Sequence, residues 1–187
     1  MYYHATQIPN LLELTPHTSN HEKPLVYLSS KRENVLVYLS NAIEKYCKEV
    51  GFQHVGIYKK WASYGFDNGI LYLDEYYPNA IIDTYKGVSG YIYSIKTFDF
   101  LKQQKDIPFA FTTTSKVRVD NCEFIPDAYE AIIQAEKDGK ITIRRYENHS
   151  EKKRNWIRAT MIQEYNSNSQ HPEYMAFIKA KFSNVIS

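Results

Sequence analysis

The chain has 187 residues, 43% of them hydrophobic and 24% charged, a length and composition typical of one globular domain. A formal charge of +2 is too small to indicate a polyanionic partner by itself, and no segment approaches the roughly 18 apolar residues of a membrane-spanning helix. The two cysteines, Cys47 and Cys122, are more typical of small apolar side chains than of a disulfide, so we expect a reducing, cytoplasmic location without membrane association.

Two short strands are predicted near the N-terminus, with a polar loop between them. Residues Met1–Thr6 and Leu25–Ser29 have the composition of strands, whereas the prolines and asparagine of Asn10–Pro24 favour a loop. His17 and His21 lie in this loop with i,i+4 spacing, which brings metal ligands together only on a helix. We therefore predict no metal site.

The first helix is predicted to follow the second strand directly. Ser30 is a favourable N-cap, Glu33 is its capping-box partner, and Gly51 is a typical C-terminal stop. Apolar residues repeat at helical spacing between them: Val35, Leu36, Leu39, Ala42, Ile43, Tyr46 and Cys47. The pattern predicts one continuous helix whose apolar stripe packs on a sheet.

Strand-like runs dominate the middle of the chain. The segments Ile70–Leu73, Ala80–Thr84 and Gly90–Ile95 are separated by turn-forming residues, and Asp67-Asn68-Gly69 is interpreted as one such turn rather than as a calcium loop. These segments are predicted to be strands of one sheet.

Helices dominate the C-terminal third. A helix is predicted over Ala128–Lys137 with Asp127 as its N-cap, followed by a strand at Ile141–Tyr146. Two further helices are predicted, one near Arg154–Tyr165 and one beginning at Pro172. The chain has no repeat or linker, so residues 1–187 are predicted to form one compact α+β domain with a helical segment at about 154–187.

Three short motifs in the first forty residues share an order and spacing with a known family. Tyr3-His4-Ala5-Thr6 is followed by Tyr27-Leu28-Ser29-Ser30 and then by Tyr38 on the predicted helix. This succession resembles the pattern of ADP-ribosyltransferases of the diphtheria-toxin and poly(ADP-ribose) polymerase type. Ala5 departs from the pattern, because the family has glycine after the histidine.

The resemblance implies a fold, a substrate and a set of site residues. The fold would be a mostly antiparallel, split β-sheet with flanking helices, and NAD would be the substrate whose ADP-ribose passes to a protein or nucleic-acid acceptor. His4 would hydrogen-bond the ribose next to nicotinamide, and Tyr27 and Tyr38 would sandwich the nicotinamide ring. Thr6 and Ser29 belong to the same two binding motifs.

The resemblance also implies a catalytic glutamate that stabilises the positive charge developing as the glycosidic bond breaks. Glu123, in Asn121-Cys122-Glu123-Phe124-Ile125, is the first choice, and Glu147 and Glu75 are alternatives at the ends of predicted strands. The segment Lys102–Lys116 would be the mobile loop that approaches the acceptor.

Other interpretations stay open. An RNA 2′-phosphotransferase is a second NAD-consuming enzyme with a similar fold. A non-catalytic module that binds nucleic acid or protein is the third, because Lys140–Arg158 is rich in cations with interleaved aromatic residues. Each site residue also has a structural interpretation, such as a strand histidine at position 4 satisfied by a backbone carbonyl, or a surface carboxylate at position 123.

Overall fold

A computed structural model describes residues 1–18, 23–54, 63–96 and 100–186. The strands, numbered β1 to β11, are Tyr2–Thr6, Glu13–Leu14, Val26–Ser29, Ser63–Asp67, Ile70–Asp74, Gly90–Ile95, Lys102–Gln103, Ala110–Thr113, Val117–Arg118, Asn121–Ile125 and Ile141–Arg144. The helices, numbered α1 to α5, are Ala42–Val50, Ala80–Tyr85, Ala128–Lys137, Glu151–Ser167 and Pro172–Lys181. Short 3₁₀ segments cover Glu33–Tyr38 and Tyr146–Asn148.

The chain divides into two compact units, each assembled from three separate stretches. Unit 1 comprises Met1–Leu39, Phe66–Leu71 and Gly87–Thr142. Unit 2 comprises Ser40–Gly65, Tyr72–Lys86 and Ile143–Ser187. One three-stranded sheet has the order β11-β5-β4.

Unit 1 is built on a six-stranded sheet with the order β10-β6-β1-β3-β8-β7. Its registered strand pairs are antiparallel, so the predicted α+β class with a mostly antiparallel sheet is confirmed. Side chains alternate along a strand. His4 therefore points to one face of β1, here called the His4 face, and Ala5 points to the other, the Ala5 face.

Different elements cover the two faces. Residues Leu14 and Val117, from the small sheet β2-β9, join Val26, Leu28 and Tyr93 in an apolar cluster on the His4 face. The 3₁₀ segment Glu33–Tyr38 contacts β1, β3 and α3. It packs on the Ala5 face, where a Cβ at Gly90 would lie 2.5 Å from a methyl group of the buried Leu39.

Unit 2 is organised around an apolar core to which its helices contribute. The buried members are Ala42, Ile43, Cys47, Tyr77, Ala80, Ile157, Met161, Tyr174, Phe177, Ile178, Phe182 and Ile186. Burial of these side chains is the main favourable term in the stability of the unit.

Most of the predicted elements are confirmed, with shifts of a few residues at their ends. Strands β1, β3, β5, β6 and β11, and helices α3, α4 and α5, occur where the sequence predicted them. Asp127 is the N-cap of α3, because its side chain accepts hydrogen bonds from the amides of Tyr129 and Glu130. None of the helices in the described residues has the length and apolar character that crossing a membrane requires.

The continuous first helix predicted from Ser30 to Gly51 is wrong. The backbone leaves the helical conformation at Leu39 and Asn41, so a 3₁₀ segment ends at Tyr38 and α1 begins at Ala42. Ser30 is not an N-cap either, because the 3₁₀ segment begins after Arg32 and has no side-chain capping hydrogen bond. The apolar residues keep the same helical spacing across both segments, so the sequence pattern does not indicate the break between them.

The strand predicted at Ala80–Thr84 is also wrong, because this segment forms α2. Its β-branched residues favour a strand, but the buried positions are Ala80, Ile81, Thr84 and Tyr85, which share one face of a helix. The Glu75 carboxylate accepts the amide of Ile81 at 3.1 Å. This bond satisfies an amide of the first helical turn, which has no partner within the helix.

Candidate functional site

The His4 face of unit 1 contains a cavity of about 190 Å³. The polar residues of its lining are His4, Thr6, Glu13, Thr15 and His17. Ile8, Leu11, Leu14, Leu25, Val26 and Tyr27 complete the wall. We call it the His4 cavity.

Local structure explains why these residues meet. His4 and Thr6 are two residues apart on β1, so both point to the His4 face. The loop after β1 crosses this face, where Glu13 and Leu14 pair with Arg118 and Val117. The same loop returns to β3 by way of His17, which is bridged to Leu25 through both backbone hydrogen bonds.

His4 is held by the backbone of the neighbouring strand. Its Nδ1 lies 2.9 Å from the carbonyl oxygen of Tyr27, and because a carbonyl only accepts, Nδ1 carries the proton and donates. Burial lowers the pKa of His4, the positive field of His17 lowers it further, and the hydrogen bond to Tyr27 opposes them. The imidazole is therefore neutral near pH 7, with Nε2 as its acceptor nitrogen.

The two tyrosines are not arranged as a sandwich in this cavity. Tyr27 lies between Val26 and Leu28, whose side chains belong to the cluster on the His4 face, so strand alternation directs its ring to the Ala5 face. Its carbonyl, not its ring, meets His4. Tyr38 is 39% exposed at the end of the 3₁₀ segment and does not line the cavity.

Ser29 and Glu123 also lie on the Ala5 face. Ser29 is opposite Tyr3, and Glu123 is opposite Ile92, which in turn is opposite Ala5. The Ser29 hydroxyl accepts the amide of Lys31 at 3.1 Å. The sheet therefore separates both side chains from His4.

Glu123 forms a two-point ion pair with Arg32. The guanidinium donates from Nε to Oε2 at 2.8 Å and from Nη2 to Oε1 at 2.5 Å. The hydrogen bond to Glu123 raises the pKa of Arg32 above its ordinary value. Glu123 as the catalytic carboxylate stays a prediction, but it would act from the face opposite to His4.

Glu13 is a lining residue of the His4 cavity that the sequence did not indicate. Its Oε1 lies 3.0 Å from Lys116 Nζ, and its side chain is 45% exposed. The residue falls in a stretch interpreted as a polar loop. A strand of two residues is too short to show an alternation of apolar and polar side chains in the sequence. Only the pairing of β2 with β9 places it here.

The alternative glutamates belong to unit 2, where both have local roles. Glu75 is 3% exposed, and its carboxylate accepts the amides of Ile81 and Tyr146 at 3.1 and 3.2 Å. Glu147 lies in the 3₁₀ segment Tyr146–Asn148, and its carbonyl accepts from Arg154 at 2.8 Å. Glu75 thus has a structural explanation.

One further expectation needs correction. The segment Lys102–Lys116 is not one loop, because it contains strands β7 and β8, which pair with each other. The methyl group of Ala5 is 5% exposed and faces away from the His4 cavity, so the departure from the family's glycine does not crowd the cavity.

The basic segment is largely engaged in contacts of its own. Arg144 stacks on Tyr72 at 3.5 Å, Lys153 pairs with Asp74, and Arg158 pairs with Glu151. Salt bridges and stacking of this kind compete with binding to a polyanion.

Within the described ranges no cluster of three or more His, Cys, Asp or Glu residues is arranged to hold a metal ion. His21 lies outside those ranges.

No family model, curated protein or solved structure gives a significant match to this chain.

Proposed function

We propose that unit 1 binds NAD at the His4 cavity and that the protein transfers ADP-ribose to a macromolecular acceptor. The observation that carries the proposal is the hydrogen bond from His4 Nδ1 to the Tyr27 carbonyl. This hydrogen bond holds a neutral imidazole beside Thr6 and leaves Nε2 as the nitrogen that can accept a hydrogen bond from a ribose hydroxyl. Polar side chains at few, fixed points in a mainly apolar wall are typical of small-molecule sites.

The size of the cavity limits how much of NAD it holds. At about 190 Å³ it is smaller than the roughly 300–1,000 Å³ of pockets that enclose a whole ligand. It matches one end of a dinucleotide. We assign it to nicotinamide and the adjoining ribose, with the rest of the ligand outside.

The residues present supply the two functions that the reaction needs. His4 orients the ribose because its Nε2 accepts a hydrogen bond from a ribose hydroxyl. A carboxylate stabilises the positive charge that grows on the ribose as the bond to nicotinamide breaks and the acceptor's nucleophile forms the new bond. Glu13 lines the cavity, whereas Glu123 lies across the sheet.

Binding is tested by thermal unfolding with and without millimolar NAD, because a ligand that binds only the native state raises Tm. We expect a shift in the wild type, none in His4→Ala, and an undiminished shift in Tyr27→Phe, which keeps the carbonyl. Absence of a shift in the wild type, together with no release of nicotinamide, would overturn the proposal.

Catalysis is tested by the rate of nicotinamide release in two matched variants. Glu13→Gln should lower the rate by about 100-fold or more while NAD still raises Tm. Glu123→Gln should leave the rate within about twofold, since it loses only a partly exposed ion pair. The reverse result would return the catalytic role to Glu123. A 2′-phosphorylated oligonucleotide in the same assay separates ADP-ribose transfer from RNA 2′-phosphotransfer.

A further inference from the structure

Unit 2 has a second cavity, of about 320 Å³, whose polar and aromatic residues form a distinct chemical set. Three tyrosines contribute to its lining, Tyr64, Tyr76 and Tyr174, together with Glu164, Ser63 and Thr160. We call it the tyrosine cavity. Its volume is within the range of about 300–1,000 Å³ that is usual for small-molecule sites.

The hydrogen bonds around the cavity hold its polar groups in place. Ser63 Oγ donates to Tyr76 Oη at 2.9 Å, and Tyr174 Oη donates to Glu164 Oε2 at 3.2 Å. Asn168 Nδ2 approaches the same oxygen at 3.3 Å. These bonds fix the carboxylate through Oε2, so among the described residues Oε1 is the oxygen left to receive a ligand.

One ring of the lining, Tyr76, lies near an ammonium group of the protein itself, and so does Trp156, which is not among the lining residues. Lys153 Nζ lies 5.4 Å from the ring centre of Tyr76 and 4.3 Å from that of Trp156. Tyr76 and Trp156 meet edge to face at 5.8 Å, and Trp156 is 49% exposed. Aromatic rings attract cations through their electronegative faces, and these rings do so within the fold.

The charge at the tyrosine cavity is negative. Lys153 is neutralised by Asp74, whose Oδ2 is 2.8 Å from its ammonium and whose side chain is 4% exposed. The formal charge that remains is that of Glu164. A carboxylate among aromatic rings disfavours a phosphate or another anion and favours a cation.

We propose that the tyrosine cavity binds a methylated ammonium group, either that of a choline-like small molecule or that of a methylated lysine side chain. Such a group has an apolar surface that suits tyrosine rings and a positive charge that suits Glu164. It cannot form the multiple short hydrogen bonds that would hold a simple ammonium ion to a more polar site. This binding does not depend on the function proposed for unit 1.

The test compares choline with its uncharged isostere 3,3-dimethylbutan-1-ol, each titrated into the full chain by calorimetry. We expect saturable binding of choline, about tenfold or more tighter than that of the neutral alcohol. A short peptide containing trimethyl-lysine, titrated beside its unmodified form, tells the two sources of the cation apart. Equal affinity for choline and the alcohol, or no saturation by either cation at concentrations on the order of 10 mM, overturns the proposal.

Matched variants locate the binding. Glu164→Gln preserves the shape of the side chain and should weaken choline binding by about tenfold, while Tyr76→Phe keeps the ring and should weaken it by less than about threefold. His4→Ala should have no effect. Circular dichroism checks that each variant is folded. Unchanged choline affinity in folded Glu164→Gln overturns the proposal, because the carboxylate would then have no part in binding.

Discussion

The environment of His4 links the protonation of its ring to the folding of the chain. The ring donates one hydrogen bond to the Tyr27 carbonyl and is otherwise enclosed by the wall of its cavity. Burial disfavours the charged form, so the pKa of His4 is below its ordinary value of 6.5. The folded protein therefore resists protonation of this residue more than the unfolded chain does.

This difference predicts a dependence of stability on pH. Because the folded pKa is lowered, the stabilisation is fully present above pH 6.5 and is lost as the pH falls through the folded pKa. The free energy of unfolding in urea should thus decrease from about pH 7 to about pH 5, and the decrease should be smaller in His4→Gln. Parallel pH profiles for the two proteins would contradict the assignment.

The residues of the candidate site could be predicted only in part. Motif spacing indicated His4 and Thr6 because alternation on one strand keeps them together. The same spacing could not assign Glu123 or Ser29 to a face, since that requires the register of β10 on β6 and of β3 on β1. Glu13 was missed because its position depends on a pairing with a strand more than a hundred residues away in the sequence.

At the scale of single elements, α3 depends on its first residues. Asp127 Oδ1 accepts the amides of Tyr129 and Glu130 at 2.8 and 3.3 Å, and Oδ2 accepts the amide of Gly87 at 2.9 Å. One side chain thus caps the helix and ties it to the turn at Gly87, forty residues earlier in the sequence.

Replacing Asp127 should lower the free energy of unfolding by a measurable amount. Asp127→Ala should lower the free energy of unfolding by about 0.5–2 kcal/mol, because amides of the first turn lose their acceptor. Asp127→Asn keeps an acceptor oxygen and should recover most of the loss. Urea denaturation provides the measurement, and an equal loss in both variants would show that the capping geometry is not the cause.

Periodicity predicted elements well where one environment extends over the whole segment. Helix α3 buries a single face and strand β6 is buried on both of its faces, and both elements were correctly predicted. It did not predict the interruption after Tyr38, because the amide of Asn41 leaves the helical ladder to donate to the Thr84 carbonyl at 3.1 Å. Helix α2 was predicted to be a strand, because its β-branched residues favour strands and the helical spacing of its buried positions was given less weight.

At the scale of the whole molecule, the two units are interleaved along the chain. The chain changes unit after Leu39, Gly65, Leu71, Lys86 and Thr142. No proline-rich or glycine-rich linker marks these points, so composition does not indicate the division. Each unit gathers residues distant in sequence, and this arrangement makes its folding depend on non-local contacts.

Truncation after Thr142 tests the interleaving. The fragment 1–142 retains all three stretches of unit 1 but loses seven members of the unit 2 core: Ile157, Met161, Tyr174, Phe177, Ile178, Phe182 and Ile186. Residues 40–65 and 72–86 should then be cleaved rapidly by proteases, while the six-stranded sheet stays protected. Equal protection of 40–65 and 72–86 in the fragment and the intact chain would contradict the division.

The two thiols of the chain differ in exposure, so one of them can be labelled selectively with a fluorescent dye. Cys47 is fully enclosed and burial raises its pKa, whereas Cys122 is exposed. Cys122 is opposite Tyr93, which is opposite His4, so it lies on the His4 face about 10 Å from His4 at the usual strand spacing. A maleimide dye will therefore attach at Cys122 in the native protein and report on occupancy of the neighbouring cavity without engineered substitutions.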